Sequence, residues 1–306
     1  MLYLALILPI ALVGWGLTEL LSDDDDGSES DTITGTDAAD DLDGLGGNDI
    51  ISGGGGDDNI EGGTGADRLL GEDGDDVIEG EQGSDTLSGG AGNDFMQSGR
   101  ADDVATGGTG DDWIEGNAGD DRVGADDGND TVIGGRGADE LAGGAGDDLI
   151  VSGDVAGTPL RFEDLKSLRD GADLASLLGV SAETPLTIRD DGDADSLFGG
   201  DGDDTLIIGA GDTARGAGGT DTFVVMEDQA AGGPATIEPI EAGETIAILA
   251  RDDGTDPEIT VADDGEDGLI SLDGLLVARV QGGAGLAAED IVLLPPITVG
   301  AVDPNR

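Results

Sequence analysis

A nine-residue period runs unbroken from Gly35 to Val151, and it constrains the fold of this chain more than any other feature. The phase holds through thirteen units. The sixth position is aspartate in every unit: Asp40, Asp49, Asp58, Asp67, Asp76, Asp85, Asp94, Asp103, Asp112, Asp121, Asp130, Asp139 and Asp148. The eighth is always apolar: Leu42, Ile51, Ile60, Leu69, Ile78, Leu87, Met96, Ala105, Ile114, Val123, Val132, Leu141 and Ile150. The first and fourth positions are glycine in eleven units each, with Ser98 and Ala125 as exceptions at the first and Ala38 and Ala101 at the fourth. A disordered glycine-rich linker has no reason to keep an aliphatic residue two places after each phased aspartate.

The unit has its own physical logic. Closely spaced glycines let the backbone take positive φ without Cβ strain, which suits a tight turn with converging carbonyls. The polar-apolar-polar triplet after the aspartate makes a minimal strand that sends one aliphatic side chain inward. Two units then form one coil of a flattened parallel β-helix, with a thin aliphatic interior. Stacking carboxylates in register would bring like charges together unless cations lie between the coils.

Charge makes the same demand. Seventy acidic residues against twelve basic ones give a formal net charge of -58. Such a chain stays expanded until cations neutralise it. Nucleic acid and anionic lipid are repelled by this field and are poor partners. The chain has no cysteine and no histidine, so disulfides, thiolate or imidazole metal sites and histidine-based catalytic triads are excluded. Oxygen ligands remain, and these suit hard cations.

The best-preserved units, Gly53–Glu61 and Gly107–Glu115, closely resemble the GGxGxDxUx repeat of the hemolysin-type, or repeats-in-toxin, family. The resemblance implies an all-β fold, a right-handed parallel β-helix (β-roll), with calcium held between successive turns on both edges. It also implies that the sixth-position aspartates listed above are metal ligands through their carboxylates, while the fifth position supplies mainly its backbone carbonyl. Thirteen units alternating between two edges give about eleven inter-turn calcium sites. The unit Ser98–Thr106 departs most from the pattern.

The flanking segments read differently. Residues 1–21 are nearly all apolar and are expected to insert in a membrane, either as an uncleaved anchor or as a cleaved signal; a buried helix is the third reading. Residues 22–34 read as an acidic linker, and 35–151 as the thirteen-unit β-roll. Phase is lost over the insert 152–189, where Thr158-Pro159 can open a helix with Phe162, Leu165 and Leu168 on one face, and Arg161, Lys166 and Arg169 supply positive charge. Eroded repeats return over 190–224, with Asp195, Asp204 and Asp221 as further metal ligands. The unit between them is one residue short and is expected to place Thr213 where aspartate belongs. Residues 225–306 read as a C-terminal β region with strands at Thr245–Leu249, Ile259–Val261, Leu269–Leu272 and Leu275–Val280. An Asp273-Gly274 hairpin joins the last two. This region is expected to cap the stack, and Leu286–Leu294 weakly resembles the segment that follows the repeats in family members exported by type I secretion.

Three functions are open at this stage. The first is a secreted or surface-tethered module that binds calcium and folds when it meets extracellular calcium. The second is a calcium-stiffened structural or adhesive surface protein, whose partner would be a cell-surface or matrix component. The third, a non-catalytic remnant or accessory of a secreted hydrolase, has little support. Neither the insert nor the C-terminal region offers a G-x-S-x-G elbow or an HExxH motif, so the chain is expected not to be an enzyme.

Overall fold

The computed structural model describes residues 27–155, 188–226, 233–241, 243–249 and 257–294. Successive repeat strands alternate between two parallel sheets, as an eighteen-residue coil requires. One sheet contains β1 (Thr32–Thr34), β3 (Ile50–Gly55), β5 (Arg68–Asp73), β7 (Thr86–Ala91), β9 (Val104–Thr109), β11 (Arg122–Asp127) and β13 (Glu140–Ala145). It continues through β17 (Ser196–Asp201), β19 (Thr213–Gly218) and β21 (Ala235–Ile237). The other contains β2 (Asp41–Asp43), β4 (Asn59–Thr64), β6 (Val77–Gln82), β8 (Phe95–Arg100), β10 (Trp113–Ala118), β12 (Thr131–Arg136) and β14 (Leu149–Val151). It continues through β18 (Thr205–Ile208), β20 (Thr222–Met226), β22 (Thr245–Leu249) and β26 (Ile291–Leu294). We call these the odd and the even sheet.

The expected fold class is borne out: an all-β parallel solenoid. Up to β14 the register is regular, each residue facing the one eighteen positions on, as in Trp113 opposite Thr131. The strands are longer than the triplet read from the sequence, because the first three residues of the next unit continue each one. Eighth-position side chains from both sheets meet inside and are buried from Ile51 to Ile150. Each large aliphatic side chain among them contributes about 1.5–3 kcal/mol by leaving water.

The stack begins earlier than the phased glycines suggest. Thr32–Thr34, within the expected linker, forms β1 and pairs in repeat register with β3. The stack also runs past the insert. β14 pairs directly with β18, and β13 with β17, so the chain leaves the solenoid and returns to the next coil without a break in register. The two stems of the insert form a short antiparallel pair, β15 (Asp154–Val155) with β16 (Ile188–Arg189). The helix expected from Thr158 lies outside the described residues, as does the apolar segment 1–21. Among the described residues, no helix is long and apolar enough to cross a membrane.

At the far end, β25 (Leu275–Val280) pairs parallel with β21, then β24 (Asp267–Leu272) and β23 (Ile259–Asp264) reverse direction. These match three of the strands read from the sequence. Asp273 and Gly274 both take positive φ (50° and 83°), which is the conformation that an Asp-Gly hairpin turn requires.

Candidate calcium-binding edges

The sixth-position aspartates occupy the two edges where the chain passes from one sheet to the other, and all sixteen candidates are buried, none more than 4% exposed. Their conformation is set by a repeated hydrogen bond. The backbone N–H of each aspartate donates to the Oδ1 atom of the aspartate one coil later. On one edge the donors Asp31, Asp49, Asp67, Asp85 and Asp103 lead to Asp121. Asp121 then donates to Asp139, Asp139 to Asp195 across the insert, and Asp195 to Asp212. On the other edge the series runs from Asp40 through Asp58, Asp76, Asp94, Asp112, Asp130 and Asp148 to Asp204 and Asp221.

One carboxylate oxygen is thereby committed to the fold. The other, Oδ2, is buried with no hydrogen-bond partner at Asp49, Asp67, Asp85, Asp94, Asp103, Asp112, Asp121, Asp130, Asp139, Asp148, Asp204 and Asp221. Leaving so many anionic acceptors buried and unsatisfied costs about 1–3 kcal/mol each, more for charged groups. Their placement indicates what satisfies them. A Cβ built on Gly107 would lie 2.3 Å from Asp112 Oδ2 and 2.6 Å from the Ala125 carbonyl oxygen. The equivalent point at Gly143 lies 2.1 Å from Asp148 Oδ2 and 2.8 Å from the Gly199 carbonyl oxygen. First-position glycine is thus needed for close approach: it leaves room where a carboxylate oxygen and a carbonyl of the next coil converge. Positive φ belongs to the second and fourth positions, as at Gly108 (126°) and Gly110 (125°).

Among the described residues, no group of three or more acidic side chains could hold a metal ion alone. A cation on these edges would draw ligands from carboxylate and backbone oxygens together, which is the donor set that calcium accepts.

The electrostatics agree. Burial, partly offset by the backbone N–H, raises the carboxyls of Asp112 and Asp195 to about 8, with neighbouring aspartates adding to the rise. The same causes raise Asp94, Asp103, Asp121, Asp139 and Asp148 to about 7. Without a cation these groups hold protons near neutral pH.

The fifth position behaves differently. Its exposed side chain accepts from the backbone one coil later, in the opposite sense to the buried series. Asp75 accepts from Asn93, Asn93 from Asp111, Asp111 from Asn129 and Asn129 from Asp147. Asparagine and aspartate alternate in this role, so it needs an acceptor and not a charge.

The short unit corrects one expectation. Thr213 pairs with Ser196, a seventh-position residue, so the sixth position is held by Asp212. The missing residue was lost from the turn before the aspartate. Both Asp212 oxygens are taken, Oδ1 by the Asp195 N–H and Oδ2 by the Gly209 N–H at 2.6 Å. Sequence reading also missed Glu244, which precedes Thr245 as Asp221 precedes Thr222 and shares a side-chain hydrogen bond with Asp221. The divergent unit Ser98–Thr106 keeps the common geometry: Asp103 accepts from Asp85 at 2.7 Å, although Ser98 Oγ is buried without a partner.

A family model for the RTX calcium-binding nonapeptide repeat matches residues 25–60, 61–96, 97–132, 124–158 and 187–214, over half of the chain. The chain belongs to that family. Its β-roll is a calcium-binding fold, and the paired columns of buried aspartates are the feature of this member that suits the ion. No curated protein matches the chain. Among solved structures it is similar to the extracellular lipase LipA from Serratia marcescens at 15% identity and a TM-score of 0.24. That match covers 75% of this chain and 45% of the lipase chain, so this chain spans less than half of the lipase.

Proposed function

We propose that this chain is a secreted or surface-tethered, non-catalytic calcium-responsive module that gains its fold when it meets extracellular calcium. The carrying observation is the column of unsatisfied Oδ2 atoms on each edge, most of them converging with a carbonyl of the next coil on a first-position glycine. Ligands are Asp40, Asp49, Asp58, Asp67, Asp76, Asp85, Asp94, Asp103, Asp112, Asp121, Asp130, Asp139 and Asp148, joined by Asp195, Asp204 and Asp221 in the coils beyond the insert. Each offers one oxygen to the ion and one to a backbone N–H, that of the neighbouring coil in every case but Asp40, whose Oδ2 accepts from Thr36. Calcium offsets the like-charge repulsion along the columns, and its removal restores it. Proteins with these repeats are typically secreted, which fits sites filled at the millimolar calcium found outside cells. The absence of histidine and cysteine supports a binding role over a catalytic one.

Circular dichroism of the chain in chelator, calcium and magnesium tests this reading. Calcium is expected to induce β structure cooperatively. Magnesium substitutes poorly, because it demands octahedral geometry and gives up water reluctantly. Equilibrium dialysis should count about eleven ions or more, since the later coils lengthen both columns. Equal β content in chelator and in calcium, or fewer than about five bound ions, would overturn the proposal.

A further inference from the structure

The outer faces of the two sheets differ in a way that the repeat does not require. On the even sheet the outward seventh positions Val77, Phe95 and Trp113 are buried. On the odd sheet the outward positions are exposed, and three of them carry large apolar side chains: Ile50 (47%), Val104 (42%) and Phe198 (42%). An arginine lies beside each in the next coil, Arg68 opposite Ile50, Arg122 opposite Val104 and Arg215 opposite Phe198. The Arg215 guanidinium is 5.7 Å from the centre of the Phe198 ring. The three pairs recur every third strand, from β5 to β11 and from β11 to β19, roughly 14 Å apart at ~4.8 Å per strand. The seventh and ninth positions of this face, from β3 to β19, include a single acid, Glu140, which is bridged to Arg122.

We infer that this row of apolar and arginine side chains is an interface for a second copy of the chain, whose exposed fifth-position column lies along it. That column runs through Asp57, Asp75, Asn93, Asp111, Asn129, Asp147 and Asp203, all exposed and each one coil from the next. Asp57, Asp111 and Asp203 stand three coils apart, as the arginines do, because both rows repeat with the same coil. A slip of one coil brings Asp75, Asn129 and Thr220 to the arginines, or Ala39, Asn93 and Asp147, with one acid in either set. A single register therefore pairs all three charges. The opposite edge is no substitute, since its fifth positions from Asn48 to Ala138 are acidic only at Asp102 and Asp120, in adjacent coils. Exposed ion pairs are individually weak, so the specificity comes from three acting in register while Ile50, Val104 and Phe198 leave water at the same contacts. The contact rests on the calcium-loaded fold proposed above, in which bound cations reduce the repulsion between two acidic chains. Face meets edge, so the contact is heterologous and further copies can add.

Sedimentation of the full chain in calcium tests this, with circular dichroism of each sample reporting the calcium-dependent fold separately. The wild-type chain should associate increasingly with concentration. Arg68→Glu with Arg215→Glu disables the face, and Asp57→Asn, Asp111→Asn and Asp203→Asn together disable the edge while keeping its backbone acceptors. Each set should weaken association roughly tenfold or more without changing the β signal. An equal mixture of the two variants should restore a one-to-one complex that grows no further, because one intact face meets one intact edge. A wild-type chain that stays monomeric, variants that associate as the wild type does, or a mixture that fails to pair would overturn the inference. If the arginine variant loses its β signal, cross-linking decides. In a chain with no native cysteine, Arg122→Cys and Asp111→Cys, the central pair of the row, should form a mixed disulfide between copies, whereas Arg122→Cys with Asp102→Cys on the opposite edge should not. Equal yields from the two mixtures would reject the contact.

Discussion

The backbone N–H of Asp94 donates to Asp112 Oδ1 at 2.8 Å, and Asp112 Oδ2, equally buried, has no hydrogen-bond partner. This division of one carboxylate between fold and ion lets the two roles be separated by substitution. Asparagine at 112 keeps an acceptor for the Asp94 N–H but turns an amide donor toward the oxygen-lined cradle. Asp112→Asn should therefore raise the calcium concentration needed for folding, with a loss of about 1–3 kcal/mol at that site. Asp111→Asn should have little effect, because Asn93 and Asn129 already perform the same hydrogen bonding. The contrast should repeat at Asp148 against Asp147. Equal calcium midpoints within both pairs would show that sixth-position aspartates are not privileged ligands.

Glycine substitutions probe the cradle from the other side. Gly107→Ala puts a methyl against Asp112 Oδ2 and the Ala125 carbonyl oxygen, whereas a Cβ on Gly124 meets nothing within 4 Å. The first should weaken calcium-dependent folding by about 2 kcal/mol or more, in the range for overpacking a buried site. The second should be neutral or stabilise by about 0.4–1 kcal/mol, by restricting the unfolded chain. Calcium titrations followed by circular dichroism compare the two, and a Gly107→Ala midpoint equal to that of Gly124→Ala would remove the cradle from the argument.

Burial raises most of the sixth-position carboxyls above the ordinary aspartate range, Asp85 to about 6, Asp94 to about 7, and Asp112 and Asp195 to about 8. The folded, metal-free stack therefore binds more protons than the unfolded chain between about pH 4 and pH 8, and its stability increases as pH falls through that window. In chelator, acidification from pH 8 toward pH 5 should increase β structure. In calcium, the same protons compete with the ion, so the calcium midpoint should rise. β content in chelator that declined steadily on acidification would contradict the sign.

Both carboxylate oxygens of Asp212 are bonded to backbone N–H groups. Asp212→Asn should lower the thermal stability of the calcium-loaded chain by about 1–3 kcal/mol, the cost of one broken buried hydrogen bond. The number of calcium ions bound should not change. Loss of an ion from the dialysis count would reassign Asp212 as a ligand.

The architecture was legible in the sequence because one short pattern, repeated in phase, fixes strand, turn and interior together. What it obscured were departures from the phase. Asp31 and Glu244 occupy sixth-position slots without the glycines that mark a unit, so register against a neighbouring coil was needed to find them. Asp212 was displaced by one in the reading because a deletion within a turn cannot be placed by counting; the pairing of Thr213 with Ser196 places it. The first-position glycines were read as conformational, yet Gly107 is required for space, a property of the next coil rather than of its own dihedral angles. The apolar outer face of the even sheet was hidden because Phe95 and Trp113 sit at positions that the repeat leaves to solvent.

The hydrogen bonds along each aspartate column all point the same way, from one coil to the carboxylate of the next. A newly formed coil therefore satisfies the donor of its predecessor but leaves its own donor open, and the solenoid has a growing end and a finished end. Assembly in the N-to-C direction closes each earlier turn as it proceeds, and the columns run as far as Asp212 and Asp221, whose strands pair next with β21 and β22. A solenoid built this way has chemically distinct ends, because its donors and acceptors are offset by one coil.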